Sequence, residues 1–156
     1  MFIFGTGAHA RKVFHCAVEC GYQVAAFIDE NPPPSAPVAG VPVLDAKLLP
    51  APGANDCAFI AIGRADVRRR LMDSLAAKGW SLPALVHKSA WVAPDARLSA
   101  GVLVAAGAVV ETATVIGRGA IVDIGVLVDH ECDVGAFSHL RPGDVLGPRT
   151  QLAEVA

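Results

Sequence analysis

Two hydrophobic rhythms divide the chain. Up to about residue 85, short uninterrupted apolar runs alternate with stretches whose apolar positions fall three or four residues apart. Phe2-Ile3-Phe4 runs into Gly5-Thr6-Gly7, and from His9 to Cys20 the residues Val13, Ala17 and Cys20 share one helical face. Gly21 closes that helix, and Val24-Ala25-Ala26-Phe27-Ile28 forms a second strand leading into Asp29-Glu30, which completes a βαβ unit. Asn31-Pro32-Pro33-Pro34-Ser35-Ala36-Pro37 reads as a loop, because proline lacks the N–H that a helix or a central ladder needs. Cys57 to Gly63 is a further buried strand, followed by an Arg-rich helix from about Ala65 to Lys78 that ends at Gly79. Uniform rather than alternating runs favour a parallel sheet covered on both faces.

From Val86 the period becomes six. Val86, Val92, Leu98, Val104, Val110, Ile116, Val122, Val128, Val134, Leu140, Leu146 and Leu152 are all aliphatic. Of the residues four places after each, from Ala90 to Ala156, all but Asp144 are small or β-branched. A helix needs apolar residues every three or four positions and a simple strand every two, so this pattern fits neither. It fits a parallel β-helix in which each hexad makes one flat side and three hexads make a coil of 18 residues; the twelve hexads give about four coils. Asp144 sits at a small inward position, where an unpaired carboxylate would be costly and calls for exposure or a partner. No polar cap follows the last hexad, so the final coil is expected to fray or associate.

At 156 residues, with 53% hydrophobic and 18% charged residues, the chain can bury a core and has room for one ordinary or two small domains. A net charge of −2 and few aromatic rings argue against nucleic acid and an anionic membrane as partners. The longest uncharged apolar stretch, Val102 to Val110, is too short to span a bilayer. Cys16, Cys20, Cys57 and Cys132 form no CxxC pair and the N-terminus has no secretory pattern, which points to a reduced, cytoplasmic chain.

GTGAHARKV after the first strand, FIDEN after the second, AIG after the third, LVHKSAWVAPDA at the change of period and VDHECDVGAFSH within the hexads resemble the bacterial sugar acyltransferases. The branch in question is the sialic acid O-acetyltransferase and UDP-amino-sugar N-acetyltransferase family (PglD/NeuD-like). The resemblance covers essentially the whole chain; the hexads and the DHEC segment are specific, the glycine turn alone is weak. It implies a fold of class α/β + β: a Rossmann-like βαβ domain over residues 1–85 that binds a nucleotide sugar, then a left-handed parallel β-helix over residues 86–156 that carries acyl transfer. It also implies acetyl-CoA as acyl donor, a UDP-type amino sugar as acceptor, a homotrimer and no metal. Members of the family usually continue for several more coils, so the resemblance implies a C-terminally short donor site. Either such a transferase or a truncated or degenerate relative that binds nucleotide sugar without transferring is expected.

By the same resemblance His130 is the general base and Glu131 raises its basicity. The chemistry needs a group that titrates near working pH beside a carboxylate able to stabilise imidazolium. Adjacent strand residues point oppositely, so convergence requires a bend; without it the pair is a solvated surface dipeptide. His139 matches the family position that contacts acetyl-CoA near its thioester, or else is simply a structural polar residue. The separation of His130 and His139, nine residues, is half a coil, which puts them on opposite sides of the prism and predicts an active site between subunits. Gly7, Ala8 and His9 would bring backbone amides to the sugar diphosphate at a helix start, with Ala8 standing where the usual third glycine falls. A tight turn without a ligand is the alternative. Asp29 and Glu30 are placed to accept from a ribose or base, and Gly63 ends the third strand at the same edge. Arg64, Arg68, Arg69 and Arg70 could meet sugar phosphate, although a charged run on a helix is usually a solvated face. An NAD-dependent dehydrogenase is disfavoured because a solenoid follows the βαβ half. A γ-class carbonic anhydrase is disfavoured because His87, His130 and His139 lack its close histidine pair. Cys132 reads as inward packing.

Overall fold

The computed structural model describes residues 1–155, which form two compact units, Met1–Pro83 and Ala84 onward. The small hexad position at Ala156 lies outside the described residues.

The first unit runs β1 (Phe2–Phe4), α1 (Ala8–Glu19), β2 (Ala26–Asp29), β3 (Val43–Asp45), a single 3-10 turn over Ala46–Leu48, β4 (Ala58–Ile60) and α2 (Ala65–Ala77). Its four strands are parallel in the order β3-β2-β1-β4, with Phe2 opposite both Ala26 and Ala58. The chain winds outward from β1 to β3, then returns to the other side of β1. That reversal is the switch point of a Rossmann-like sheet, and ligands of such sheets sit beyond the carboxyl ends of the strands there.

Both helices end as their glycines predict. Gly21 adopts φ 83°, Tyr22 N–H donates to Ala17 C=O and Gly21 N–H to Val18 C=O, each at 2.9 Å. Gly79 repeats this Schellman closure for α2, with Trp80 N–H on Leu75 C=O at 3.0 Å. The core of the unit is the buried set Ile3, Val13, Ala17, Phe27, Ile28, Phe59, Met72 and Leu75.

Three details differ from the sequence expectation. β2 begins at Ala26 rather than Val24, and β4 stops at Ile60 rather than Gly63. The second difference has a cause in α2: the carbonyls of Ile62 and Gly63 turn away to accept Arg68 Nη1, each at 2.9 Å. β3 had no signal at all, because it is a three-residue edge strand behind Pro42 whose residues are half-buried or exposed.

The second unit is a left-handed parallel β-helix. Among the described residues it has twelve two-residue strands in three sheets. One sheet stacks β5 (Leu85–Val86), β8 (Leu103–Val104), β11 (Ile121–Val122) and β14 (His139–Leu140). The second stacks β6 (Trp91–Val92), β9 (Val109–Val110), β12 (Leu127–Val128) and β15 (Val145–Leu146). The third stacks β7 (Arg97–Leu98), β10 (Val115–Ile116), β13 (Asp133–Val134) and β16 (Gln151–Leu152).

Partners within a sheet lie one coil apart, as Leu103, Ile121 and His139 do. The second residue of every strand is the aliphatic hexad position. From Val104 to Leu146 these residues are buried in one cluster with Val102, Ala108, Ala120, Val126 and Cys132, and Val86, Val92, Leu98 and Leu152 pack against it from the ends. Burying such a side chain contributes roughly 1.5–3 kcal/mol, and only stacking of coils provides it. Asp144 is exposed and its Oδ2 accepts Arg141 N–H at 2.7 Å, so the carboxylate meets both solvent and a donor.

The corners have a rule of their own. Positive φ recurs every six residues at Gly101, Gly107, Ala113, Gly119, Gly125, Glu131, Phe137, Gly143 and Arg149. Glycine fills this left-handed slot without a Cβ penalty; the other four residues occupy it at a cost of about 1 kcal/mol each.

Candidate active site

His130 and Glu131 occupy a corner of the β-helix, between β12 and β13. The bend that brings their side chains together is the left-handed backbone of Glu131, φ 59°. Its neighbours hold it: Glu131 N–H donates to Thr112 C=O and Arg149 N–H to His130 C=O, each at 2.9 Å, one coil below and one above. Asp129 Oδ1 accepts His130 N–H at 2.7 Å. Against this backing, His130 Nδ1 lies 2.9 Å from Glu131 Oε2, with 39% and 51% of the two side chains exposed.

A carboxylate only accepts, so Nδ1 carries the proton and Nε2 keeps the lone pair. The arrangement can take a proton from a nucleophile at Nε2 while Glu131 stabilises the charge that forms. Arg149 Nη1 is 3.4 Å from the same Oε2, an ion pair that no sequence pattern signalled. Cys132, the next residue, is buried with its Sγ 3.3 Å from Gly147 C=O.

His139 is the first residue of β14, on the face opposite the His130 corner, so the two histidines do not meet within one chain. Its Nε2 is 3.3 Å from Oδ2 of the buried Asp123. Asp123 was not singled out from the sequence.

In the first unit the carboxyl ends of the strands frame a pocket of about 130 Å³, lined among others by Gly5, Ile28, Asp29, Glu30, Ile62 and Arg70. Gly5 has φ 107°, and a Cβ there would come within 2.9 Å of Ile62 Cγ1 and 3.1 Å of Ala61 C=O, so this is the position of the loop that requires glycine. Asp29 Oδ2 accepts Thr6 Oγ1–H at 2.6 Å and its Oδ1 accepts Asn31 N–H at 3.0 Å, which ties the ends of β1 and β2 together. Glu30 is exposed beside it.

Of the sequence candidates, Asp29 and Glu30 therefore line one pocket. Gly7 and Ala8 are exposed and His9 half-buried at the start of α1, where Gly7 caps the helix without a side-chain bond. These three, and the exposed Gly63, are not among its lining residues. The arginine run divides by role. Arg64 pairs with Asp66 at 2.6 Å in solvent. Arg68 is fully buried under the end of β4, and burial draws its guanidinium down to about 10. Arg70 reaches the pocket.

Among the described residues no helix is long and apolar enough to cross a membrane, and no group of three or more His, Cys, Asp or Glu side chains is placed to hold a metal ion.

A family model described as the PglD N-terminal domain matches residues 1–75. The chain is similar along most of its length to solved acetyltransferase structures. A mutant of GDP-perosamine N-acetyltransferase from Caulobacter crescentus, in complex with CoA and GDP-perosamine, is 37% identical over 94% of this chain and 70% of that one, with a TM-score of 0.88. The acetyltransferase domain of PglB from Neisseria gonorrhoeae FA1090, in complex with acetyl coenzyme A, is 32% identical over 97% and 74% of the two chains, with a TM-score of 0.87. WeeI from Acinetobacter baumannii AYE shares the fold, with a TM-score of 0.82 at 22% identity over 92% and 70% of the chains. With its Rossmann-like first unit, its β-helix of hexads and these relatives, the chain belongs to the PglD-like family of hexapeptide-repeat sugar acetyltransferases.

Proposed function

We propose that the protein transfers an acetyl group from acetyl-CoA to an amino or hydroxyl group of a nucleotide-linked sugar, with His130 as general base. The observation that carries this reading is the His130–Glu131 contact at 2.9 Å, held by the left-handed backbone of Glu131 in a slot that five of the nine corners fill with glycine. Non-glycine residues held at positive φ cluster at functional sites. The acceptor's amine or hydroxyl attacks the thioester carbonyl carbon and a new N–C or O–C bond forms as Nε2 of His130 takes the proton. The tetrahedral intermediate then collapses, the C–S bond breaks, and the imidazolium returns the proton to the departing CoA thiolate.

The pocket of the first unit is the place for the nucleotide sugar. Asp29 and Glu30 stand where a carboxylate accepts from ribose or base, and Arg70 supplies a cation for the diphosphate. Gly7, Ala8 and His9 offer the start of α1 to the same diphosphate, and Gly63 follows the end of β4 on that side. An amino sugar is favoured because a relative at 37% identity is a perosamine N-acetyltransferase. The sequence expectation of uridine as its base stands against a guanosine nucleotide in that relative, and binding of UDP against GDP decides between them.

His139 is read as an acetyl-CoA contact. Because it lies on the face opposite the His130 corner, a complete site needs a second subunit, and a homotrimer provides one. The outward column Trp91, Leu127 and Val145 supports the association: these residues of one β-helix sheet are 56%, 44% and 69% exposed, a surface a subunit would cover.

Release of CoA thiol from acetyl-CoA in the presence of a UDP- or GDP-linked amino sugar tests the reading. The wild type is expected to turn over, and His130→Ala to lose about 100-fold or more with its oligomeric state and nucleotide binding unchanged. Unchanged turnover in His130→Ala removes His130 as base. Nucleotide binding without any turnover in the wild type would instead favour a relative that binds and does not transfer.

A further inference from the structure

We propose that Thr114 is a positioning residue for acetyl transfer: its buried hydroxyl stands between the two ends of the turn that carries His130 and Glu131, and fixes that turn in the shape that brings their side chains together. The inference rests on the reading of His130 as general base. Thr114 directly precedes β10, is fully buried and lies one coil below Cys132. Its Oγ1–H donates to Asp129 C=O at 3.0 Å, and the same oxygen accepts Cys132 N–H at 3.3 Å. Those two groups belong to the residues on either side of the His130–Glu131 pair.

Other corners show what the hydroxyl replaces. Turns of the same length close on themselves: Ala108 N–H donates to Ala105 C=O at 3.2 Å, Ala120 N–H to Gly117 C=O at 3.1 Å and Ser138 N–H to Gly135 C=O at 3.3 Å. The corresponding bond at the His130 corner would run from Cys132 N–H to Asp129 C=O, and Thr114 takes both groups instead. An oxygen held between donor and acceptor keeps them further apart than a direct bond does, so the turn is opened by a side chain of the coil below. Packing alone does not call for this hydroxyl. Ala108, Ala120 and Val126 fill equivalent inward positions with apolar groups, and a buried hydroxyl is tolerated only where its partners are met. Thr114 never reaches the reacting atoms; it acts through the backbone that aims His130 at Glu131.

Thr114→Val keeps the shape of the side chain and removes the hydroxyl. In the CoA thiol release assay with a UDP- or GDP-linked amino sugar it is expected to lower kcat about tenfold or more, with KM for both substrates within about threefold. Thr114→Ser, which returns the hydroxyl, should stay within about threefold of wild-type kcat. Nitrogen-15 NMR of the full chain labelled at histidine, with the His130 signal assigned by His130→Gln, reads the corner itself. That signal should move in Thr114→Val and hold in Thr114→Ser. Should Thr114→Val not assemble, the smaller Thr114→Ala makes the same comparison. Wild-type kcat in the hydroxyl-free variant, an equal loss in Thr114→Ser, or an unmoved His130 signal overturns the positioning role. Unchanged turnover in His130→Ala removes the base and this inference with it. An inactive His130→Ala beside a fully active Thr114→Val removes this inference alone.

Discussion

The Rossmann-like unit and the β-helix place polar groups in their interiors under different rules. In the first unit each buried contact is made once. Arg68 is fully buried against the carbonyls that follow β4, and among the described residues no second position repeats that arrangement. In the β-helix every position is repeated each coil, so a residue is defined by its neighbours 18 places away. Glu131 lies one coil from Ala113 and one from Arg149, in a slot that five of the nine corners fill with glycine. Repetition makes each of the four departures from glycine visible, whereas a once-made core gives no such background.

The comparison predicts where each unit is brittle. The largest effect is expected at Gly117, where an added Cβ would sit 2.5 Å from Ala136 N and 2.8 Å from Gly135 C in the next coil. Gly117→Ala should destabilise the β-helix by about 3 kcal/mol or more, because backbone rather than a mobile side chain must move. Gly125→Ala, with φ +65° and no atom within 4 Å, should cost only about 1 kcal/mol. Denaturant midpoints of the two variants measure the difference, and equal losses would break the stacking argument.

Next in size is Arg68→Met. It keeps the apolar stem but leaves the Ile62 and Gly63 carbonyls without their guanidinium donor, and should cost about 2–3 kcal/mol. The loss should be confined to the first unit, which hydrogen exchange of β4 and α2 against the β-helix strands would show.

A smaller effect of opposite sign is expected at the His130–Glu131 corner. Glu131→Gly relieves a left-handed backbone and should stabilise the β-helix by about 1 kcal/mol while lowering turnover. Thermal melting and initial rates on the same sample check the pair of outcomes.

The smallest effect concerns pH. The Thr112 hydroxyl, 2.7 Å from Asp95 Oδ2, holds the Asp95 carboxyl below its usual range, with Ala113 N–H at 3.1 Å adding to it. A group depressed in the folded state stabilises above its unfolded pKa, and that contribution disappears as pH falls through the folded one. Thr112→Val should therefore be slightly less stable than wild type at neutral pH, with the gap closing in acid. A gap independent of pH would assign the effect to packing.

How much the sequence revealed follows the same division. The twelve hexads placed every β-helix strand, because stacking allows a single register and an aliphatic residue marks each one. The glycine ends of α1 and α2 were equally legible, since positive φ at Gly21 and Gly79 has few alternatives. β3 was not, because an edge strand of three half-exposed residues leaves no apolar run. Nor was the burial of Arg68, which sits in an Arg-rich stretch that reads as a solvated face. At the candidate site His130 and Glu131 stood out as a dipeptide, but their convergence depended on a corner conformation. The signal for it was present in the six-residue recurrence of Gly101, Gly107, Gly119, Gly125 and Gly143, a phase that continues to 131. Asp123 gave no signal, since its meaning lies in His139 one coil away.

The proposed active site joins His130 of one subunit to His139 of another. Complementation between inactive variants tests it most directly. His130→Ala and His139→Ala chains are purified separately, unfolded together, refolded as mixed oligomers and assayed for CoA thiol release with a nucleotide-linked amino sugar. Shared sites predict that the mixture recovers a substantial fraction of wild-type turnover, since some interfaces pair an intact His130 with an intact His139. A mixture as inactive as its two parents, beside an active refolded wild type, would contradict the account.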